Sequence, residues 1–357
     1  MERRWSQEEI GGIMNDILKS FKFDLQMFAT PVQPTPENTF NYTEADRDNE
    51  TNFGKLLEPG LRKIFFETYD EIPEQFSQIY NVESSTKAVE HDWGMGAFGT
   101  WEKRASQIDT VAYGVLSPGL DRRYVHDAFT KGFMITREMY DDDMYRQMDK
   151  MSMALARAGR AKVESDAMIP LVKGFDKATR PIYDGEAFFS NAHPLLEMDY
   201  VATPGAKKGN NLITGPLSDV NLKEGIQLMR EVPDEIGNLV QYKADRLIIP
   251  PALEDTAIRL LQSAQLAGGQ LNDTNKFLNS YGIQTVVLDY LGAAAGGSDT
   301  HWFLQDSKRH ELNFFWRVKP EFEWDKDFDT YVSKYKGYMR YSYGVSDWRG
   351  MAGSTGL

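Results

Sequence analysis

The chain has 357 residues, 41% hydrophobic and 26% charged, enough apolar material for one large domain or two to three smaller ones. A net charge of −13 argues against gripping nucleic acid through a broad basic face, and the absence of cysteine excludes disulfides, thiolate-held metals and thiol nucleophiles. No stretch is long and apolar enough for a membrane-crossing helix, and no membrane partner is expected.

Arg3 and Arg4 open the chain as a secretory signal does, but Asn15 and Asp16 interrupt the apolar stretch and no cleavage pattern follows, so no signal is expected. Residues 7–22 instead place Ile10, Ile13, Met14, Ile17, Leu18 and Phe21 on one helical stripe, weakened by about 1 kcal/mol at each of Gly11 and Gly12. Residues 30–54 are polar and proline-spaced and read as an extended arm without a core of its own. Residues 55–80 read as a helix with Leu57, Leu61, Ile64 and Phe65 on one side. Residues 81–120 are rich in polar, glycine and aromatic residues, with alternating runs such as DTVAYGV at 109–115. They predict a long two-stranded excursion with a glycine-rich tip. An isolated hairpin is marginally stable, so this one must rest on its own chain or on a neighbour's.

REMYDDDMYRQMD at 137–149 then opens the longest helical pattern, with Met144, Met148, Met151, Leu155 and Ala158 recurring at steps of four and three. Ala154, Ala158, Ala161 and Ser165 permit close packing. Acid comes first and Lys150, Arg157, Arg160 and Lys162 follow, the order the helix dipole favours. From Asp142 to Met168 the rod would measure about 40 Å at 1.5 Å per residue, with Pro170 marking its end or a kink. Residues 186–320 look like a compact α/β unit. A helix starts at Ser218 and buries Leu222, Ile226 and Met229, RLIIPP is a short strand, and Pro250 and Pro251 open a helix with Leu253, Ala257, Leu260, Leu261 and Ala264 inward. QTVVLDYL and HWFLQD read as buried strands. In the tail, Tyr331, Tyr335, Met339, Tyr341, Tyr343 and Val345 alternate with Lys334, Lys336, Arg340, Ser342 and Ser346, a long strand with one wet face.

Few motifs carry chemistry. GMGAFG at 94–99 fits the dinucleotide pattern, yet AVEHDW before it is no buried strand and TWEKRASQ after it opens no packed helix, so flexibility at a loop tip is the better reading. Asp141, Asp142 and Asp143 could hold a divalent ion only with ligands from elsewhere, because helical neighbours point about 100° apart. Capping and dipole effects at a helix front need no partner. The histidines at 91, 126, 193, 301 and 310 never fall at i, i+4, and His193 before Pro194 suits a turn or core. No serine-nucleophile or phosphate-loop pattern occurs. Neither a catalytic group nor a cofactor is expected.

Arm, long extended loop, rod helix, compact α/β unit and terminal strand, in that order, resemble the major capsid proteins of tailed bacteriophages, the Hong Kong-97-type fold. FKFDLQMFA at 21–29 looks like the opening peptide of such proteins, and FFSNAHPLL at 188–196 with KYKGYMRYSYGVSDWRGMAGSTG at 334–356 is similar to the Mu-like head-subunit branch. The resemblance implies an α+β capsid fold. It has an N-terminal arm at 1–60; residues 1–20 depart from the family by preceding its usual start, and read as an assembly segment, a cleaved leader or an upstream start wrongly included. An E-loop follows at 81–120. A peripheral domain with a long spine helix takes 61–80, 121–185 and 318–357, and an axial α/β domain takes 186–317. It implies self-assembly into hexamers and pentamers of an icosahedral shell in the bacterial host cytoplasm. Scaffolding, portal and cement proteins would be partners, around double-stranded DNA held without sequence-specific binding. Assembly contacts are then expected at Trp93, Phe98, Trp101, Glu102, Lys103 and Arg104. Some relatives lock neighbours through Lys–Asn bonds; Lys87 and Lys103 lie in the loop, but no motif identifies a partner. Two other readings compete: an encapsulin-like nanocompartment shell, and a metal-dependent hydrolase using Asp141–Asp143 and His193.

Overall fold

The computed structural model describes residues 53–95, 118–142, 144–179, 181–195, 208–234, 239–262, 281–327 and 332–357. The expected helix at 7–22 and nearly all of the arm at 30–54 lie outside them.

Helix α1 (Phe53–Glu71) buries Leu61 and Phe65, as its stripe predicts. It stops well short of residue 80. Ile72 precedes Pro73, and a proline ring disfavours the helical conformation of the residue before it. The chain turns through a short 3₁₀ segment, Phe76–Gln78, held by the Glu164 carboxylate, which accepts the backbone N–H of Gln75 at 2.9 Å and of Phe76 at 3.0 Å. Strand β1 (Asn81–Ser84) follows, then β2 (Val89–Met95) and β3 (Pro118–Val125), which pair antiparallel as the stem of the expected hairpin. Strand β4 (Asp127–Ile135) continues from β3.

The Asp triplet differs from expectation. Thr136, not an aspartate, caps the short helix α2 (Arg137–Asp141), its hydroxyl accepting the Met139 N–H at 3.4 Å. Asp141 ends α2 and pairs with Arg137 at 3.2 Å, and Asp142 is its C-cap. The long helix α3 (Tyr145–Val172) starts only afterwards, from Met144 with no side-chain cap. Short acidic side chains compete with the backbone for hydrogen bonds and disfavour helix interiors, so Asp141 and Asp142 mark the end of α2; Asp143 lies outside the described residues. At its other end α3 runs through Pro170 to Val172, where Met168 and Leu171 are fully buried. Pro170 has no N–H to donate to the carbonyl one turn back and its ring crowds that carbonyl, a cost that the burial of Met168 and Leu171 around it offsets.

A four-stranded sheet runs in the order β1-β11-β12-β4, with β11 (Leu312–Asp327) and β12 (Val332–Val345) forming its centre. The burial of β12 alternates from Ser333 to Tyr341. The alternation then breaks: Ser342 is buried and Tyr343 half-buried, because β4 ends opposite Tyr341 and the hairpin root takes its place. A second sheet has the order β7-β13-β10-β8-β9, from β7 (Leu212–Ile213), β8 (Arg246–Ile249), β9 (Gln284–Val287), β10 (Trp302–Gln305) and β13 (Met351–Ser354). The expected span 318–357 thus divides its strands, β12 in the first sheet and β13 in the second. Helix α4 (Asp219–Arg230) is capped by Ser218, whose hydroxyl accepts the Asn221 N–H at 3.3 Å. Gly225 lets α4 lie so close that a Cβ there would meet Ile213 at 2.6 Å and Leu304 at 2.8 Å. Helix α5 (Glu254–Gln262) follows the Pro250–Pro251 start and buries Ala257 and Leu261.

Helix α3 joins two cores. Met148, Leu155 and Ala156 pack with Leu61, Phe65, Phe322 and Tyr335, whereas Val163, Ala167, Met168 and Leu171 pack with Phe314, Tyr341 and the second sheet. Buried polar groups on α3 fix its rotation: Asp166 accepts from Tyr341 Oη at 2.7 Å and Lys162 at 2.7 Å, and Arg160 donates to Glu74 at 2.9 Å while stacking on Tyr69. Buried partners of this kind are costly to separate, so register is well specified.

Candidate assembly surface

The hairpin leaves the body through a narrow root. Ser85 donates to Glu90 at 2.7 Å, and Lys87 donates to the other Glu90 oxygen at 2.9 Å. Those two partners hold the Glu90 carboxyl below its ordinary range, the serine bond first. Between β3 and β4, buried His126 spans the root, with Nε2 3.1 Å from Ser85 Oγ and Nδ1 2.9 Å from Ser342 Oγ. Burial, and then the nearby Arg340 charge, push its imidazole below the usual histidine value, so the neutral ring is favoured. Tyr124 Oη lies 2.6 Å from Ser346 Oγ and its ring packs on Phe315. Gly344 makes room for that ring. The root is therefore anchored on β11 and β12.

Beyond the root the stem offers apolar surface. Trp93, beside His91, is 67% exposed and Val125 is 54% exposed. Trp93 is the member of the expected contact set that falls within the described residues; Phe98, Trp101, Glu102, Lys103 and Arg104 lie outside them. Val82 and Met134, on strands β1 and β4 at the two edges of the four-stranded sheet, are also exposed. Large apolar side chains bared on sheet edges invite a further partner. A cavity of about 490 Å³ opens between α1, α3 and the same sheet, lined by Phe65, Phe129, Leu155, Tyr338 and Met339 with Lys131 beside them.

The two motif stretches quoted above meet in the core. His193 and Pro194 form β5, paired with β6 (Lys208–Gly209). The His193 ring stacks on Trp348, 4.4 Å between centroids and 3° between planes. Its Nδ1 faces Asp184 at 2.7 Å and its Nε2 faces the Asn211 amide oxygen at 3.1 Å, whose NH₂ group donates to the Phe188 carbonyl at 2.8 Å. His193 and Asp184 are sealed from solvent, 0% and 1% exposed. A histidine enclosed in this way braces the fold. The hydrolase reading fails on the same ground: Asp141 is tied to Arg137 on an exposed helix and His193 is sealed in the core. Among the described residues no group of three or more His, Asp or Glu converges as metal ligands would. Sequence reasoning missed Asp184, Asn211 and the stacking of His193 on Trp348, because no local period links residues 184, 193, 211 and 348.

Residues 119–354 match the sequence profile of phage capsid proteins. The major capsid protein of Escherichia phage Mu is 22% identical over 314 residues, covering 66% of this chain and 97% of that protein. Among solved structures, the mature capsid of bacteriophage PhiM1 is similar with a TM-score of 0.51 at 12% identity, covering 80% of this chain and 88% of that one. The procapsid of bacteriophage JBD30 gives a TM-score of 0.44 at 18% identity, covering 84% and 74%.

Proposed function

The chain belongs to the phage capsid protein family, a structural shell protein of phage heads with the Hong Kong-97-type fold and not an enzyme, and from that premise we propose how its copies join. Each subunit lays its 89–125 hairpin across a neighbouring copy, so that rings of six and five close into an icosahedral shell around double-stranded DNA. The observation that carries this reading is Trp93, 67% exposed on a stem whose root is otherwise clamped to its own sheet. An apolar side chain of that size gains about 1.5–3 kcal/mol on full burial, and one shell repeats the contact many times. The cavity between α1, α3 and the sheet fits as the seat, since its wall is mostly apolar, with Lys131, Lys162 and Glu321 also lining it, and it opens beside the sheet edge. In this scheme the E-loop is the 89–125 hairpin, its expected start at 81 moved past β1, which belongs to the four-stranded sheet, and its expected end at 120 moved to the end of β3; residues 61–84, 126–185 and 318–357 are the peripheral body, and residues 186–317 the axial unit. Assembly takes place in the host cytoplasm with scaffolding, portal and cement proteins.

The test is assembly of the purified full-length protein, alone and with its scaffolding partner, viewed by negative-stain microscopy. Closed shells or ring-shaped capsomers are expected. A monomer at every concentration and in both conditions would contradict the proposal, and shells that copurify with a protein cargo instead of DNA would favour a nanocompartment.

A further inference from the structure

Helix α3 carries a feature that shell closure does not use. Arg146, Lys150 and Arg157 are all exposed. At 100° per residue they fall within about 40° of one another around the axis, and they span about 16 Å along it at 1.5 Å per residue. Ala154, also exposed, lies about 40° from Lys150, and the half-buried Asp149 lies about 60° to the other side of Arg146. The opposite face of the helix is buried against α1 and the four-stranded sheet.

The stripe departs from how this chain treats six of its other helical cations. Arg62–Glu58, Lys63–Glu67, Arg137–Asp141, Lys162–Asp166, Lys223–Asp219 and Arg259–Asp255 are all ion pairs one turn apart. That is the usual arrangement for solvated helix surfaces. Among the described residues, none of Arg146, Lys150 and Arg157 joins an ion pair. Lys150 and Arg157 have no acid three or four residues away in either direction. Arg146 has Asp142, Asp143 and Asp149 three or four residues away but joins no ion pair among the described residues, so in a subunit of net charge −13 the stretch from Lys150 to Arg157 is a local reversal of sign that Arg146 extends. Such a line attracts a polyanion over a short range and leaves the remaining surface repulsive.

We propose that this stripe is the subunit's contact with the phosphate backbone of packaged duplex DNA, and that this face of α3 therefore lines the interior of the shell. The proposal rests on the reading that the shell encloses DNA, and adds which residues meet it. Three cations over about 16 Å meet a polymer carrying one charge per 1.7 Å, about ten phosphates in the same length, without any base-reading group. The contact is non-specific and weak per subunit, which suits DNA that must be packed and later released.

The test compares wild type with R146Q/K150Q/R157Q, both as full-length subunits before assembly. Binding to a 30-base-pair duplex is followed by fluorescence anisotropy between 50 and 200 mM salt, and negative-stain microscopy scores shell formation for both. Three phosphate contacts give a slope of about −2.7 in log K against log salt, so wild-type affinity falls about 40-fold across that range. The triple variant should change by less than about threefold and still form shells. A variant that keeps the wild-type slope, or a wild type whose binding does not respond to salt, overturns the proposal; the latter leaves the stripe to an acidic protein segment. If neither protein forms shells, the shell reading fails while the slopes still decide the fate of the stripe.

Discussion

Two tryptophans should separate folding from assembly when each is cut to alanine. Trp348 is 1% exposed, stacked on His193, and backed by Gly209, which leaves no room for a side chain behind it. Removing a buried ring of that size costs about 3–5 kcal/mol, part of it the lost stack and part the cavity left beside His193 and Asp184. Trp93 is 67% exposed and its removal should cost the isolated subunit less than about 0.5 kcal/mol. In a shell the order reverses. A buried interface tryptophan is worth about 2 kcal/mol or more, which raises the concentration needed for assembly about thirtyfold. Urea unfolding of unassembled subunits, followed by near-ultraviolet circular dichroism, reads the first quantity, and light scattering against subunit concentration reads the second. Trp348→Ala should lower stability, and Trp93→Ala should assemble poorly with wild-type stability. If Trp93→Ala assembles at the wild-type threshold, the reasoning about the stem is refuted.

Other parts of the structure give further expectations. Burial pushes the His310 imidazole down to about 4, against an ordinary value of 6.5. The unfolded chain then binds the extra proton first, so this stabilisation is complete above pH 6.5 and is lost as pH falls from 6.5 toward 4. Urea unfolding at pH 7, 6 and 5 should show that loss, and His310→Asn should flatten it. Tyr341→Phe removes the donor to Asp166 Oδ2 inside the core and should cost about 1–3 kcal/mol of subunit stability, read from the unfolding midpoint. Gly353→Ala would drive a Cβ to 2.8 Å from both Phe189 and Phe303 within β13 and should cost about 1–3 kcal/mol, seen as a lowered Tm.

What was legible in the sequence is what repeats locally. The stripe of α1, the Ser218 cap, the proline start before α5 and the polar–apolar alternation of β12 all follow from spacing within one element. What was missed depends on distant residues. Strand β11 runs 16 residues through Pro320, which reads as a strand breaker. The structure accommodates it where the pairing with β12 shifts register between Val318 and Glu321, a position where no ladder bond is needed from a proline. Strand β1, four residues long and parallel to β11, has no periodicity of its own. The Asp triplet pointed to the right place and the wrong role, because Thr136 supplied a cap one helix earlier. The exposed stem residue Trp93 was named from family likeness, and the His126 brace beneath it had no local signal at all.

In the proposed shell the 89–125 hairpin makes its contacts on another copy of the chain. Shells assembled from an equal mixture of ¹⁴N- and ¹⁵N-labelled protein, crosslinked through lysine and read by mass spectrometry, test it most directly. Crosslinks from Lys103, within the hairpin, that join one light and one heavy peptide are the predicted result. Crosslinks from Lys103 found only within chains of one isotope would contradict it.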